Sequence, residues 1–367
     1  MPKALLDKVT VAIGGATGYG GVELIRLLSR HPGVRVTYLA SASSAGKRLE
    51  EVYPHLAEYG SPETLDSRLQ ALEPKAMAEA AQVVMFALPA GKSAAIVPAL
   101  LKADVKVIDG GPDFRLHDPA AYPRWYKFDH PAPELLKEAV YGLPELHGEK
   151  ISTASLVAAP GCYPTGALLA IAPVLKSGLI KPQIIVDSKS GISGAGRTAL
   201  SLPYHFTEAT EDVSAYGLPA HRHLPEMQQE ASLLHSGGKS ETAITFTPHL
   251  MPMVRGIFTT AYADLAEPAT DNSELSTLNS QLTDCMKQFY AGSPFVHVSE
   301  QLPHTKWTAG TNHAFLSARV SADGSKAILF SVIDNLVKGL AGQMVQCLNL
   351  MCGFSETAGL EGRAVYP

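Results

Sequence analysis

The stretch "KVTVAIGGATGYGGVELIRLLSRHP" (residues 8–32) constrains the fold more than any other part of the chain. A β-branched run, Val9 to Ile13, gives way to glycines at 14, 15, 18, 20 and 21. Val22, Leu24, Ile25, Leu27 and Leu28 then recur at helical spacing, and a second strand-like run, "VRVTYLAS", follows. Strand, glycine turn, helix and strand make the unit that cradles a pyrophosphate on a helix N-terminus. Glycine suits the turn because the backbone bends sharply and phosphate oxygens must approach its N–H groups. The spacing is Gly15-x-x-Gly18-x-x-Gly21 rather than G-x-G-x-x-G, so the setting between strand and helix carries the assignment.

The end of the second strand selects the cofactor. An NAD site places Asp or Glu there to accept from the ribose 2′-OH. This chain reads "LASASSAGKRL", with Ser41, Ser43, Ser44, Lys47 and Arg48 and no acid before Glu50. Hydroxyls and cations suit a 2′-phosphate, so NADP(H) is expected rather than NAD.

The βα rhythm continues. "AQVVMFALPAGKSAAIVPALL" is a strand, a loop at Leu88-Pro89 and a helix; "DVKVIDGGPDFRL" is a strand ending at Asp109, then a loop with Asp113 and Arg115. Alternation at this spacing predicts a Rossmann-type, doubly wound parallel sheet. Beyond "VYGLPELHGEKI" the rhythm changes. "KPQIIVDSKSGISGAGR" is a strand with a small-residue loop, and "HAFLSARVSADGSKAILFSVID" predicts two strands joined at Asp323-Gly324. An α/β chain is expected, with a cofactor domain over 1–160 completed by a C-terminal helix, 331–367. An α+β domain with a mixed sheet, over 161–330, is expected to bind substrate and mediate self-association.

Composition narrows the classes. The chain has 367 residues, 46% of them hydrophobic, enough for about two domains with buried cores. Its formal charge is −5 and no Lys/Arg run stands out, so nucleic acid is not an expected partner. The most apolar window, Ser155 to Leu175, carries Pro160, Pro164 and Pro173 and makes a poor membrane span. The N-terminus shows no signal-peptide architecture, and four scattered cysteines suit reduced thiols, so a cytoplasmic location is expected.

One of those cysteines is set apart. "APGCYPTG" fences Cys162 with two prolines and two glycines just before the apolar run "ALLAIAPVL". A helix starting near Pro164 would aim its positive end at the thiol and favour thiolate, the reactive form. Cys285, Cys347 and Cys352 lie in helix-like segments and fit buried, inert cysteines. A cysteine nucleophile needs a proton partner, and "GLPAHRHLPEM" packs His221, Arg222, His223 and Glu226 together. Alternating histidines are possible metal ligands, but no third soft ligand stands at a recognisable spacing and no metal is expected. His221 is preferred to His223 as acid/base. Arg115, Arg197 and Arg222 are candidates for phosphate or carboxylate, which guanidinium matches bidentately. Thiolate, NADP and arginines define a reaction class: attack on an activated acyl group, a thioester, then reduction to an aldehyde.

"GGATGYGGVELIRLL", "YGLPEL", "APGCYPTGALLAIAPV", "SGISGAGR", "HRHLPEM" and "VIDNLVKGLAGQMVQCLNLMCGF" together resemble the N-acetyl-γ-glutamyl-phosphate reductase family, relatives of aspartate-semialdehyde dehydrogenase. The resemblance runs from about residue 9 to residue 362. It implies NADPH-dependent reductive dephosphorylation of an acyl phosphate, N-acetylglutamyl 5-phosphate, by a cytoplasmic homo-oligomer, dimer or tetramer. Cys162 matches the family's nucleophile and His221 its acid/base. "DGGPDFRL" departs from the family's more usual Ser-Ala before Asp-Phe-Arg but keeps Asp113 and Arg115. The same chemistry on an aminoadipyl or aspartyl phosphate remains open. So do a Cys/His hydrolase and a non-catalytic NADP sensor, although each leaves half of the chain unexplained. The residues expected to contact substrate are Arg115, Arg197, His223 and Glu226. Those expected at the cofactor are Gly15, Thr17, Gly18, Tyr19, Gly20, Gly21, Ser41, Ser43, Ser44, Lys47, Pro89, Ser193, Gly194 and Asn312.

Overall fold

A computed structural model of the chain describes residues 8–56 and 68–366. Residues 1–7, part of the N-terminus read above as lacking a signal sequence, lie outside the described residues. The chain divides into two compact units, the first holding the described residues up to Pro160 with Gly196–Thr198 and Leu340–Gly362, the second most of the remainder.

The first unit is built on six parallel strands in the order β2-β1-β3-β4-β6-β5. They are β1 (Val9–Gly14), β2 (Val34–Ala40), β3 (Val83–Phe86), β4 (Lys106–Asp109), β5 (Val140–Tyr141) and β6 (Leu156–Ala158). The apolar run of β3 is buried throughout, as expected where helices cover both faces of a parallel sheet. Register sets where the loops emerge. Gly14 pairs with Ala40 and Phe86, Phe86 with Asp109, and Asp109 with Ala158. The loops after these strands therefore leave the sheet along one edge, and the chain order reverses at β1. That is where an open α/β sheet takes its ligand.

The C-terminal tail joins this unit, but not as a helix from residue 331. A strand, Lys326–Ile333, still occupies its start; a π turn, Val337–Ala341, follows, and the α-helix is Gly342–Met351. It is fastened by polar side chains at its ends. Gln343 Nε2 donates to the Gly142 carbonyl at 2.9 Å, and Asn349 Oδ1 lies 2.8 Å from His31 Nε2.

The second unit holds a seven-stranded mixed sheet in the order β11-β12-β13-β10-β7-β9-β8. These strands are β7 (Ile180–Gly191), β8 (Ser214–Ala215), β9 (Ala243–Met251), β10 (Ile257–Leu265), β11 (Val296–Val298), β12 (Ala314–Val320) and β13 (Lys326–Ile333). β7/β9 and β11/β12 pair parallel, while β10/β13, β7/β10 and β12/β13 are antiparallel. Gly324 makes the β12–β13 turn with φ +71°. The helix Cys162–Lys176, apolar all round, is buried against this sheet and the helices Leu224–Ser236 and Asn272–Phe289. The opposite sheet face carries a row in which Tyr262 pairs with Ile185 on one side and Ile328 on the other. Ile185 is 52% exposed and Tyr262 37%. Among the described residues no helix is long and apolar enough to cross a membrane.

Candidate active site

At the open edge of the first unit the glycine turn forms a close-fitting cradle. Gly15 has φ +89°, where side chains are strained, and a Cβ there would lie 2.4 Å from the Ala87 carbonyl oxygen. A Cβ on Gly21 would lie 2.2 Å from the Gly15 oxygen. Gly18 is the N-cap of the helix Tyr19–Leu28; Tyr19 and Gly20 follow in its first turn, which has neither a capping side chain nor an acid. Such an end takes an anion from outside the helix. Thr17 Oγ1 and Ser41 Oγ stand 2.8 Å apart at the end of β2, with Ser43 and Lys47 exposed and Ser44 half-buried nearby. The first acid, Glu50, is paired with Arg48. The cradle, two hydroxyls and a cation fit a dinucleotide with a 2′-phosphate. Pro89 lies exposed in the loop after β3.

The two arginines have different settings. Arg197, placed by sequence in the second domain, belongs to the first unit. Its Nη1 donates to the Thr17 carbonyl at 3.2 Å, and its guanidinium lies 4.6 Å over the Tyr53 ring. The Tyr53 hydroxyl donates to the same carbonyl at 2.9 Å. Arg197 is thus at the glycine turn. Arg115 is buried; its Nε donates to the Ala159 carbonyl at 2.8 Å and its Nη2 to the Gly110 carbonyl at 2.9 Å. It ties the loop after β4 to the end of β6. Beside it Ser93 Oγ lies 2.9 Å from both Asp109 and Asp113, and burial, with Asp113 alongside, pushes Asp109 up to about 7.

In the second unit the helix begins at Cys162 itself, two residues before the position expected, with Gly161 as N-cap. Pro164 is the third helical residue, where an N–H would have no intrahelical partner, so the early start costs no hydrogen bond. The buried Glu226 accepts the Gly161 N–H at 2.8 Å and so fixes the turn that presents the cysteine. Gly161 is required by proximity, because a Cβ on it would lie 2.5 Å from His223 Nε2.

His221 Nδ1 accepts the backbone N–H of His223 at 3.1 Å. An acceptor Nδ1 leaves the neutral ring its proton on Nε2. Four rings surround it: Tyr163 at 5.6 Å, Tyr216 at 5.5 Å, His223 at 4.8 Å and Phe246 at 5.5 Å. Burial in this box, with Arg222 adjacent, holds the imidazole down to about 4. At neutral pH His221 is therefore an uncharged donor. The Tyr216 hydroxyl donates to that of Tyr163 at 2.9 Å. Burial pushes both phenols up, and the charge of an ionised Cys162 adds to this, which places the sulfur within electrostatic reach of both.

The lowered His221 value gives a stability signature. Between about 6.5 and 4 the unfolded chain binds the proton and the folded one does not, so folding loses free energy as pH falls through that window. Wild type should lose about 3 kcal/mol more than His221→Asn between pH 7 and pH 4. Asp109 acts in the opposite sense there but is common to both chains and cancels. Urea unfolding at a series of pH values measures the difference; parallel curves would refute it.

Ser193 accepts from Asn335 Nδ2 at 2.9 Å, with the exposed Gly194 beside it; Asn312 is buried in the loop before β12. All three belong to the second unit. Sequence reasoning missed Tyr163, Tyr216, Phe246 and Asn335. Tyr163 lies within "APGCYPTG"; Tyr216 and Phe246 carry no local signal.

Residues 10–154 match the semialdehyde dehydrogenase NAD binding domain, and residues 162–335 match the semialdehyde dehydrogenase dimerisation domain. An N-acetyl-gamma-glutamyl-phosphate reductase of Dehalococcoides mccartyi is 47% identical over 364 residues, covering 99% of this chain and 100% of that protein. The chain belongs to the N-acetyl-gamma-glutamyl-phosphate reductase family. Reductases so named from Heliobacterium modesticaldum and Crocosphaera subtropica are 46% and 43% identical, each across 98% of this chain and 100% and 99% of their own lengths. The reductase fold is shared with aspartate semialdehyde dehydrogenase II of Vibrio cholerae. That structure has a TM-score of 0.69 at 18% identity, covering 95% of this chain and 99% of the other. A Candida albicans aspartate semialdehyde dehydrogenase solved with NADP has a TM-score of 0.67 at 16% identity, covering 94% and 99%. The interval between the two matched stretches contains the passage from the first unit to the second at Pro160–Gly161.

Proposed function

We propose that the chain catalyses NADPH-dependent reductive dephosphorylation of N-acetyl-L-glutamyl 5-phosphate to N-acetyl-L-glutamate 5-semialdehyde, a step of arginine biosynthesis. The observation that carries this reading is Cys162 at the first position of a helix whose N-cap is held by Glu226, with His221 as a neutral donor in the same unit. The Cys162 thiolate attacks the acyl carbon, the C–O bond to phosphate breaks, and phosphate leaves a thioester. Gly15–Gly21, Ser41, Ser43 and Lys47 would hold NADPH, which when bound would supply the hydride. His221 Nε2–H donates a hydrogen bond to the acyl oxygen as the hydride adds and that oxygen becomes the oxyanion of a tetrahedral thiohemiacetal adduct. Collapse of the oxyanion breaks the C–S bond, releasing the aldehyde and regenerating the thiolate. An imidazole held down to about 4 stays neutral at the working pH, so its Nε2–H is a fixed hydrogen-bond donor to a developing oxyanion.

Arg115 and His223 are proposed to order the loops that receive the acyl phosphate. Arg197, at Thr17, is better placed for the cofactor than for the substrate. The first unit is then the cofactor domain and the second the substrate domain. Self-association follows from the dimerisation-domain match, with the Ile185–Tyr262–Ile328 face as its surface. The proposed location is the cytoplasm.

The test runs the reaction backwards with N-acetylglutamate semialdehyde, phosphate and NADP. Cofactor reduction that requires phosphate is expected, with a Michaelis constant for NADP at least about tenfold below that for NAD, as a 2′-phosphate site implies. Cofactor-independent ester hydrolysis, or NADP binding without turnover, would overturn the assignment. Faster turnover of the homologue one methylene longer would move the substrate to the aminoadipyl series.

A further inference from the structure

The motif "DNLVKG", Asp334 to Gly339, takes no part in the chemistry above, yet it is densely tied. Asp334 is fully buried. Its Oδ1 accepts the backbone N–H groups of Leu336 at 2.8 Å and Val337 at 3.0 Å, and its Oδ2 accepts that of Gly310 at 2.8 Å. Arg255 Nη1 stands 3.6 Å from the same Oδ2. The Asp334 carbonyl accepts the Gly339 N–H at 2.9 Å, the i to i+5 bond that winds the π turn. Asn335 accepts the Gly256 N–H at 2.8 Å through Oδ1 and donates to Ser193 through Nδ2. Single π turns are rare and frequently sit at functional sites.

Gly339 closes this turn. It does not have a positive φ, so backbone conformation does not call for glycine there. Space does. A Cβ on Gly339 would lie 2.8 Å from the Cys162 Cβ, 3.3 Å from its Cα and 3.4 Å from the Asp334 carbonyl oxygen. None of these atoms is the end of a flexible side chain. Two belong to the first residue of a buried helix whose N-cap is fixed by Glu226, and the third accepts the bond that forms the π turn. A single methyl must therefore displace either the cysteine or the turn behind it.

We propose that Asp334–Gly339 is a positioning element for the Cys162 sulfur: Asp334 winds the π turn, and bare Gly339 backs the cysteine and sets the direction in which its thiol points. The proposal rests on the reading of Cys162 as nucleophile. It assigns Asp334 and Gly339 no contact with substrate or cofactor.

The test is Gly339→Ala, measured in the full-length protein. Misplacement of a nucleophile by about 1 Å costs about 100-fold, so kcat should fall by about that factor while the KM for NADPH stays within about twofold. The alkylation rate of Cys162 by iodoacetamide, followed by peptide mass so that Cys285, Cys347 and Cys352 are scored separately, should change at least about tenfold. A purely structural glycine would lower the melting temperature and leave both kinetic readings in place, and that result overturns the proposal. Asp334→Asn acts on the same turn, because its amide nitrogen cannot accept an N–H. If Gly339→Ala does not fold, Asp334→Asn is read by the same two measurements, and unchanged alkylation with unchanged kcat overturns the inference. The alkylation reading needs no catalysis. Turnover that survives Cys162→Ser would sink the nucleophile itself, whereas unaltered alkylation in the Gly339 variant sinks only the positioning element.

Discussion

Cys162→Ser should abolish reductive turnover, by at least about 10⁴-fold, while NADPH binds with an unchanged dissociation constant. Serine keeps the size and the helix-start geometry, so the turn held by the Glu226–Gly161 bond persists. What it removes is an atom able to become an anion near neutral pH and to leave again from a thiohemiacetal. The alkoxide does neither readily. Steady-state rates with the acyl phosphate, beside a fluorescence titration with NADPH, separate chemistry from binding. Residual activity above about one part in a hundred would contradict covalent catalysis, since loss of a nucleophile generally costs far more.

His221→Asn is expected to lower kcat by about 10²- to 10³-fold with folding intact, the span usual for loss of one hydrogen-bond donor to a developing oxyanion. The choice of asparagine follows from the structure. Its Oδ1 can take the place of Nδ1 and still accept the His223 N–H, so the turn preceding the helix Leu224–Ser236 keeps its bond. What disappears is the donor on Nε2. His223→Asn should do less to kcat and more to stability, because the His223 ring packs on Gly161 at the N-cap of the Cys162 helix. Circular dichroism, together with kcat for the two variants, tests the ranking; if His223→Asn proves the more damaging to rate and folds normally, the roles are reversed.

The parts of this molecule that were legible in its sequence are those with a local periodicity or a local turn chemistry. The strand, glycine turn and helix of residues 8–32 have their meaning within 25 residues, and the Cys162 helix start is written by Pro160, Gly161 and Pro164. What escaped depends on partners far apart in the chain. Glu226 reaches back to Gly161 across 65 positions, so its role as anchor could not be distinguished from substrate binding. Arg197 follows a strand of the second unit but donates to Thr17, 180 positions earlier. A helical tail from residue 331 starts too early because "AILFSVID" is apolar in a way that satisfies either period. Its continuation as β13 is decided by pairing with β10 and β12, not by its own composition. Gly339 reads as one more small residue in a helix until the cysteine is set beside it.

The uncovered face of the seven-stranded sheet has a consequence at the level of the cell. If self-association uses the proposed Ile185–Tyr262–Ile328 surface, each copy would gain part of its folding free energy from association, and mass action would link its stability to the number of copies present. When synthesis slows, dilution favours separated protomers with that face in water. The same apolar row that would be covered in an abundant protein would then lie in water on a scarce one.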